Sequence, residues 1–348
     1  MESDAPTAIR HLYVHVPYCH RICPYCSFYK HTPGRANFGG FVEALLAELR
    51  AKAGRFALPI ETIYLGGGTP SLLPRRELTR LLTGIAEALP ERDIAEWTIE
   101  MNPRTFDRAK AEAIRAAGVT RASLGVQSWD PATLATLGRD HSPGEAEDAY
   151  AELRAAGFPS VSLDLMFSVP GQAAAQWEAD LRRTAALQPD HISAYNLNYE
   201  EDTEFFDRLT CGEYREDADA DADLFLAAES ILGGAGFAHY EISNYAQPGH
   251  ESAHNRAYWR GEDYLGIGPG AFPPRGSDRD RARGSRSWHR WRNIEDTAEY
   301  IRRALAGIDP ANEAEPIDRA AFRCSGSPSS CAPAKGSASM SSAGKARR

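Results

Sequence analysis

From residue 11 onward the chain repeats one unit: a short β-rich segment, a loop rich in Gly, Pro or polar residues, then a helical stretch of about three to four turns. Strands are expected at Leu12–Val16, Thr62–Leu65, Trp97–Glu100, Arg121–Val126, Val161–Phe167 and His191–Asn196. Amphipathic helices are expected at Phe41–Lys52, Arg76–Ala88, Ala109–Ala116, Pro143–Ala156 and Trp177–Leu187, several stopped by a glycine such as Gly118 or Gly157. Six strands joined by helical crossovers demand a parallel sheet. With 348 residues, 43% of them apolar, the chain can fill one large α/β barrel and a smaller appendage.

In such a barrel the reactive groups gather on loops at the carboxyl ends of the strands. Every unusual polar motif here falls on that rim. Strand one runs into three cysteines and strand two into Gly66-Gly67-Gly68-Thr69-Pro70; strand three ends at Glu100, strand four at Gln127, and strand five carries Asp164. The barrel is expected over residues 1–205. A smaller α+β region follows over 206–308, containing a helical stretch from Ala218 to Leu232, and a low-complexity tail occupies 309–348. Seven arginines between 275 and 292 read as a solvated loop.

The net charge of −9 disfavours nucleic acid as a partner, because affinity for phosphates needs clustered Lys and Arg. No apolar run of roughly 18 residues and no basic-then-apolar start occurs, so neither a membrane span nor a signal peptide is expected and the cytoplasm is the default address.

Six cysteines are too few for a disulfide framework in a chain of this length, and three of them fall within eight residues. Cys211, Cys324 and Cys331 are given no role. Cys19, Cys23 and Cys26 offer three thiolates from one tight loop, which suits one face of a 4Fe-4S cube and leaves the fourth iron open. Spacing alone also allows a closed zinc site, with His15, His20 or His31 as fourth ligand, and hence a zinc-stabilised interaction protein without redox chemistry. Tyr18, Tyr25 and Phe28 would shield a cluster from water. The glycine run after strand two offers bare backbone amides and carbonyls where no side chain could be tolerated, suited to gripping the amino end of a small ligand.

The cysteine loop after strand one together with the glycine loop after strand two resembles the radical S-adenosylmethionine (SAM) superfamily. Further strings narrow the resemblance to its coproporphyrinogen-oxidase-like branch: His15-Val16-Pro17-Tyr18-Cys19, Glu100-Met101-Asn102-Pro103, Ser123-Leu124-Gly125-Val126-Gln127-Ser128, Leu137-Gly138-Arg139, Tyr240-Glu241-Ile242-Ser243-Asn244-Tyr245 and His254-Asn255-Arg256-Ala257-Tyr258-Trp259. They span residues 11 to about 305. The resemblance implies a partial (β/α)6 barrel, a 4Fe-4S cluster on Cys19, Cys23 and Cys26, and SAM chelating its open iron. An electron from the reduced cluster, supplied by a separate donor, then splits the sulfonium to methionine and a 5′-deoxyadenosyl radical. By motif position it places Gly67, Gly68 and Thr69 on the methionine amino group, Glu100 and Arg139 on its polar end, and Gln127 with Asp164 on the ribose hydroxyls. Tyr13 and Tyr25 join the cofactor's surroundings.

Two activities divide this branch: oxygen-independent oxidative decarboxylation of coproporphyrinogen III, and haem binding with transfer to acceptor proteins, as in the HemW type. Phe28 stands where the oxidases resemble one another in a further cysteine, and only 18 residues precede Cys19, fewer than in the oxidases. His254-Asn255-Arg256-Ala257-Tyr258-Trp259 resembles the haem-binding motif of the HemW type, with His254 offering an imidazole to iron. The expectation is therefore a haem chaperone, with cofactor cleavage retained and decarboxylation doubtful; the family reading also leaves room for a homodimer. Ser27, Ser168 and Phe272 depart from the residues usual in the branch. The Ser-, Gly- and Ala-rich ending departs more, and leads to the expectation of a truncated or frame-altered terminus.

Overall fold

The computed structural model describes residues 8–89, 92–272, 288–290, 292–312 and 315–317. The strands β1 His11–Val16, β2 Ile60–Gly67, β3 Arg92–Met101, β4 Arg121–Gln127, β5 Ser160–Phe167 and β6 His191–Asn196 pair in parallel and in sequence order. Between them run α1 Phe38–Ala53, α2 Arg75–Ala88, α3 Arg108–Ala116, α4 Pro131–Thr136, α5 Pro143–Ala155 and α6 Ala174–Ala186. The chain continues through α7 Glu204–Thr210, α8 Ala218–Gly234, β7 Ala238–Glu241, β8 Asn244–Ala246, α9 Ala253–Trp259, β9 Tyr264–Ile267 and α10 Thr297–Leu305. The fold is α/β: a six-stranded partial barrel whose sheet is extended at both edges and stays open, in the order β7-β8-β6-β5-β4-β3-β2-β1-β9.

The elements follow from local chemistry. Asn37, Asp107, Asp130, Ser142 and Asp217 each accept a backbone N–H at the start of a helix, and Ser142 with Glu145 closes a reciprocal capping box. Helices cover the outer face of the sheet, so one face of each strand is fully apolar: Leu12, Val14 and Val16 of β1, Ile63 and Leu65 of β2, and Leu163 and Leu165 of β5 are all buried. Burying each such side chain stabilises the fold by roughly 1.5–3 kcal/mol.

Two edge additions were not expected from the sequence. β7 and β8 form an antiparallel hairpin on β6, and β9 lies parallel to β1 on its free edge. Gly266 lets the segment that follows β9 fold back onto the strand, since a Cβ there would come within 2.1 Å of the Phe272 carbonyl oxygen. Among the described residues no helix is long and apolar enough to cross a membrane. Most of the arginine-rich segment 275–292, Cys324, Cys331 and the tail beyond 317 lie outside the described residues.

Candidate functional site

The carboxyl ends of β1 to β6 surround a cavity of about 550 Å³. Cys19, Cys23 and Cys26 form one side of it; Gly67, Gly68, Thr69, Glu100, Gln127, Arg139 and Asp164 form the rest, with Tyr25 beside them. The rim thus collects from five strands the residues proposed in sequence to hold the cluster or its cofactor, with two exceptions. Tyr13 and His254 line a second cavity of about 370 Å³ instead, which shares Phe28, Tyr64, Gly67 and Glu100 with the first.

The cysteine loop is closed at its base. His31 N donates to Pro17 O at 2.9 Å and Cys19 N to His31 O at 3.1 Å, so residues 19–31 leave and re-enter the sheet end side by side. Tyr25 packs against Phe205, and Phe205 N donates to Pro24 O at 3.1 Å, pinning the loop's far end to α7. The three thiols are free and half-buried. Burial pushes the Cys19 thiol up to about 11, against the hydrogen bond that Thr69 Oγ1 donates to its sulfur at 3.7 Å; burial also raises Cys26. Desolvated thiols of this kind become thiolate ligands when a cationic metal centre faces them.

The histidines that could have completed a zinc tetrahedron are engaged elsewhere. His15 Nε2 donates to Tyr29 O at 2.8 Å, His20 Nδ1 meets Asp140 at 2.7 Å, and His31 Nε2 meets Thr297 Oγ1 at 2.8 Å. No three His, Cys, Asp or Glu among the described residues converge as they would on a single ion. Three cysteines lining one side of the cavity suit one face of a cube of four irons.

The glycine loop differs from the sequence expectation in one respect: its amides are already donated within the protein. Gly67 N donates to Glu100 Oε2 at 3.0 Å, Gly68 N to Val16 O at 2.9 Å and Thr69 N to Tyr18 O at 2.7 Å. Glycine is required here by close approach, since a Cβ on Gly68 would lie 2.6 Å from Val16 O. The loop therefore zips the two motif-bearing strands together and leaves no free amide at these three positions for a ligand.

Glu100 and Arg139 are not paired with each other. Glu100 accepts from Tyr64 OH at 2.8 Å as well as from Gly67, and burial pushes its carboxyl from 4.5 up to about 7, with Asp164 adding to the rise against those hydrogen bonds. Arg139 Nη2 donates to Asn102 Oδ1 at 2.6 Å and Gly125 O at 2.9 Å, while Nη1 lies 3.8 Å from Cys23 Sγ. The guanidinium so placed offers positive charge beside the cysteines. Asp164 accepts from Ser123 Oγ at 2.7 Å and Ser162 Oγ at 2.9 Å. Gln127 sits at φ +67°, where the β4–β5 register shifts, an unfavourable backbone for a non-glycine residue that turns it into the cavity wall.

Sequence reasoning gave no role to Asn102, which also donates from Nδ2 to Thr69 Oγ1 at 2.8 Å, or to Ser123 and Tyr195 on the cavity wall. Asn102 lies inside a motif string, which was its only signal.

The second cavity is largely aromatic, with Tyr13, Tyr29, Tyr258, Tyr264 and Phe272 in its walls and Arg292 at its edge. Phe272 lies beneath the Arg292 guanidinium at 5.3 Å. His254 is 1% exposed, stacked on Tyr64 at 5.2 Å; its Nδ1 lies 2.7 Å from Thr62 Oγ1, and its Nε2 is buried without a hydrogen-bond partner among the described residues. Burial, then the nearby His11 and Arg121, pushes its ring down to about 3. A neutral imidazole with an unengaged nitrogen is the form that binds iron.

The sequence model of the Radical SAM superfamily matches residues 13–184. The heme chaperone HemW of Mycobacterium tuberculosis (strain ATCC 25618 / H37Rv) is 42% identical over 271 residues, covering 75% of this chain and 68% of that protein. HemW of Escherichia coli (strain K12) is 40% identical over 262 residues, covering 75% and 68%. The solved structure of coproporphyrinogen III oxidase (HemN) from Escherichia coli, a radical SAM enzyme, overlays with a TM-score of 0.74 over 91% of this chain and 73% of that one; at 22% identity the likeness concerns the fold. The chain belongs to the radical SAM superfamily and, within it, to the HemW family.

Proposed function

We propose that this chain is a radical SAM haem chaperone: it carries a 4Fe-4S cluster and SAM in the first cavity, binds haem through His254 at the second, and passes haem to acceptor proteins. Membership of the superfamily implies the cluster and SAM. With both in place the chemistry available is reductive cleavage of the sulfonium. On this reading Cys19, Cys23 and Cys26 hold the cluster, Arg139 and Glu100 meet the charged end of the methionine, the Gly67-Gly68-Thr69 turn borders its amino group, Asp164 and Gln127 take the ribose, and Tyr25 shields the site. Residues 1–205 form the cluster-bearing part and 206–308 the part that supplies His254.

The observation that carries the haem reading is the orphaned Nε2 of His254, in an aromatic cavity next to the cysteine cavity. Aromatic walls suit a macrocycle, and Arg292 suits a carboxylate side arm. Because Nε2 is shielded in this conformation, coordination requires its covering side chains to move aside.

The test is to reconstitute the protein without oxygen in the cytoplasm-like presence of a reductant, then to assay haem binding and coproporphyrinogen III decarboxylation side by side. Haem binding that depends on His254, without porphyrinogen turnover, is expected. Turnover of the porphyrinogen would overturn the chaperone reading in favour of an oxidase.

A further inference from the structure

The orphaned nitrogen of His254 stands at one end of a relay of four side chains. His254 Nδ1 lies 2.7 Å from Thr62 Oγ1, Thr62 Oγ1 lies 2.9 Å from His11 Nδ1, and His11 Nε2 lies 2.9 Å from Glu262 Oε2. His254, Thr62 and His11 are 1%, 2% and 3% exposed, so bulk water does not supply alternative partners; Glu262 is the end that reaches the surface.

A threonine hydroxyl carries one proton, so held between two imidazole nitrogens it donates to one and accepts from the other. The outer end decides which. The hydrogen bond from His11, followed by the Arg260 guanidinium at 2.6 Å, holds the Glu262 carboxyl below its ordinary range, so it is ionised at neutral pH and only accepts. His11 Nε2 therefore bears a proton. With that ring proton on Nε2, His11 Nδ1 is the ring's acceptor, and Thr62 donates to it. Thr62 oxygen is left to accept from His254 Nδ1. Nε2, buried without a hydrogen-bond partner among the described residues, has no acceptor to hold a proton, so the ring proton stays on Nδ1.

We propose that Glu262, His11 and Thr62 are positioning residues that fix His254 as its Nδ1–H tautomer and leave Nε2 with a bare lone pair as the donor to a metal centre in the second cavity. The assignment of that centre as haem iron rests on the function proposed above; the tautomer does not. Metal-bound histidines commonly have the far ring nitrogen fixed by a hydrogen-bond acceptor, which orients the ring and raises its basicity. Here the acceptor is a hydroxyl whose direction is set two residues away, and the second edge strand brings Glu262 within reach of β1.

Long-range proton–nitrogen correlation of histidine-labelled full-length protein at pH 8 reads the tautomer directly, with His254 assigned by its disappearance in His254→Ala. The expected result is a protonated Nδ1 and a bare Nε2. Thr62→Val should shift the tautomer ratio by about tenfold or more, and Thr62→Ser should restore it. A proton on Nε2 in the unmodified protein, as a doubly protonated His11 would impose by reversing both Thr62 hydrogen bonds, overturns the proposal; so does an unchanged ratio in Thr62→Val. If Thr62→Val does not fold, Glu262→Ala at the exposed end should shift the ratio in the same direction, and no shift overturns the relay. Titration with hemin separates the two readings. Loss of affinity in both His254→Ala and Thr62→Val supports the donor role, whereas unchanged affinity in His254→Ala removes haem from the account and overturns that role while the measured tautomer stands.

Discussion

Tyr64 and Glu100 are hydrogen-bonded at 2.8 Å on the wall that the two cavities share. The phenol donates, so it favours the ionised carboxylate, yet burial outweighs it and the carboxyl rises to about 7. An acid that holds its proton more tightly folded than unfolded contributes stability that is full below 4.5 and lost as pH rises through about 7. In cluster-free protein, urea unfolding free energy should therefore drop between pH 5 and pH 8 by roughly 2–3 kcal/mol more in the natural chain than in Glu100→Gln. Equal slopes would remove the buried proton from the shared wall.

Replacing any one of Cys19, Cys23 and Cys26 by Ala leaves two thiols, too few to hold a cube. Iron and sulfide after anaerobic reconstitution should fall from about four each per chain to near zero in all three variants. Cys211→Ala is the control: that thiol is exposed at the end of α7, outside the cavity, and iron content should not change.

The barrel was legible because β-rich segments alternate with helical stretches between turn residues, and several helices begin at a capping side chain; β6 matches its expected bounds, His191–Asn196, residue for residue. β9 was not legible. Four residues interrupted by Gly266 carry no periodic signal, and their place is set by the free edge of β1. The rim residues could be found from topology, since strand ends converge whatever the loops do, but the partners of Arg139 could not: the motif string does not show that it donates to Asn102 and Gly125. Tyr13, expected in the cofactor's surroundings, shares its strand face with His15, and both line the second cavity. The His254 relay joins residues 192, 51 and 251 positions apart, beyond any local pattern.

Ser168 occupies a position where its branch usually has glycine, and the reason is visible in the backbone: φ is +62°. Its hydroxyl is also buried without a hydrogen-bond partner among the described residues. Ser168→Gly relieves both the left-handed strain and the desolvated oxygen, against a larger entropy of the unfolded chain. A gain of about 1 kcal/mol in unfolding free energy is expected from the urea midpoint. A loss would show that the serine makes a contact that outweighs its strain.

Asp164, within β5, accepts hydrogen bonds from the Ser123 and Ser162 hydroxyls, which orient it. A charged acceptor facing ribose hydroxyls contributes about 1.5–3 kcal/mol per bond. Asp164→Asn should therefore weaken SAM binding by about ten- to a hundredfold at unchanged iron content, read by equilibrium dialysis of the reconstituted protein. Unchanged affinity would move the ribose elsewhere in the cavity.

Glu96 couples the barrel to α9. It is 7% exposed and accepts from Ser252 Oγ at 3.1 Å, His254 N at 3.2 Å and Ala253 N at 2.8 Å, so one carboxylate on β3 satisfies the start of the helix that carries His254. Removing it orphans those donors and leaves the buried Arg121 without the negative charge that most favours its ionised form. Glu96→Ala should cost about 1–3 kcal/mol of stability, the penalty for leaving a buried donor unsatisfied. Glu96→Gln keeps an acceptor oxygen and should cost less, so the two variants separate the helix contact from the charge. Because the carboxylate holds α9 and not the cysteine loop, haem affinity should fall in both while iron content after reconstitution stays that of the natural chain; a parallel loss of iron would mean that the two cavities depend on Glu96 alike.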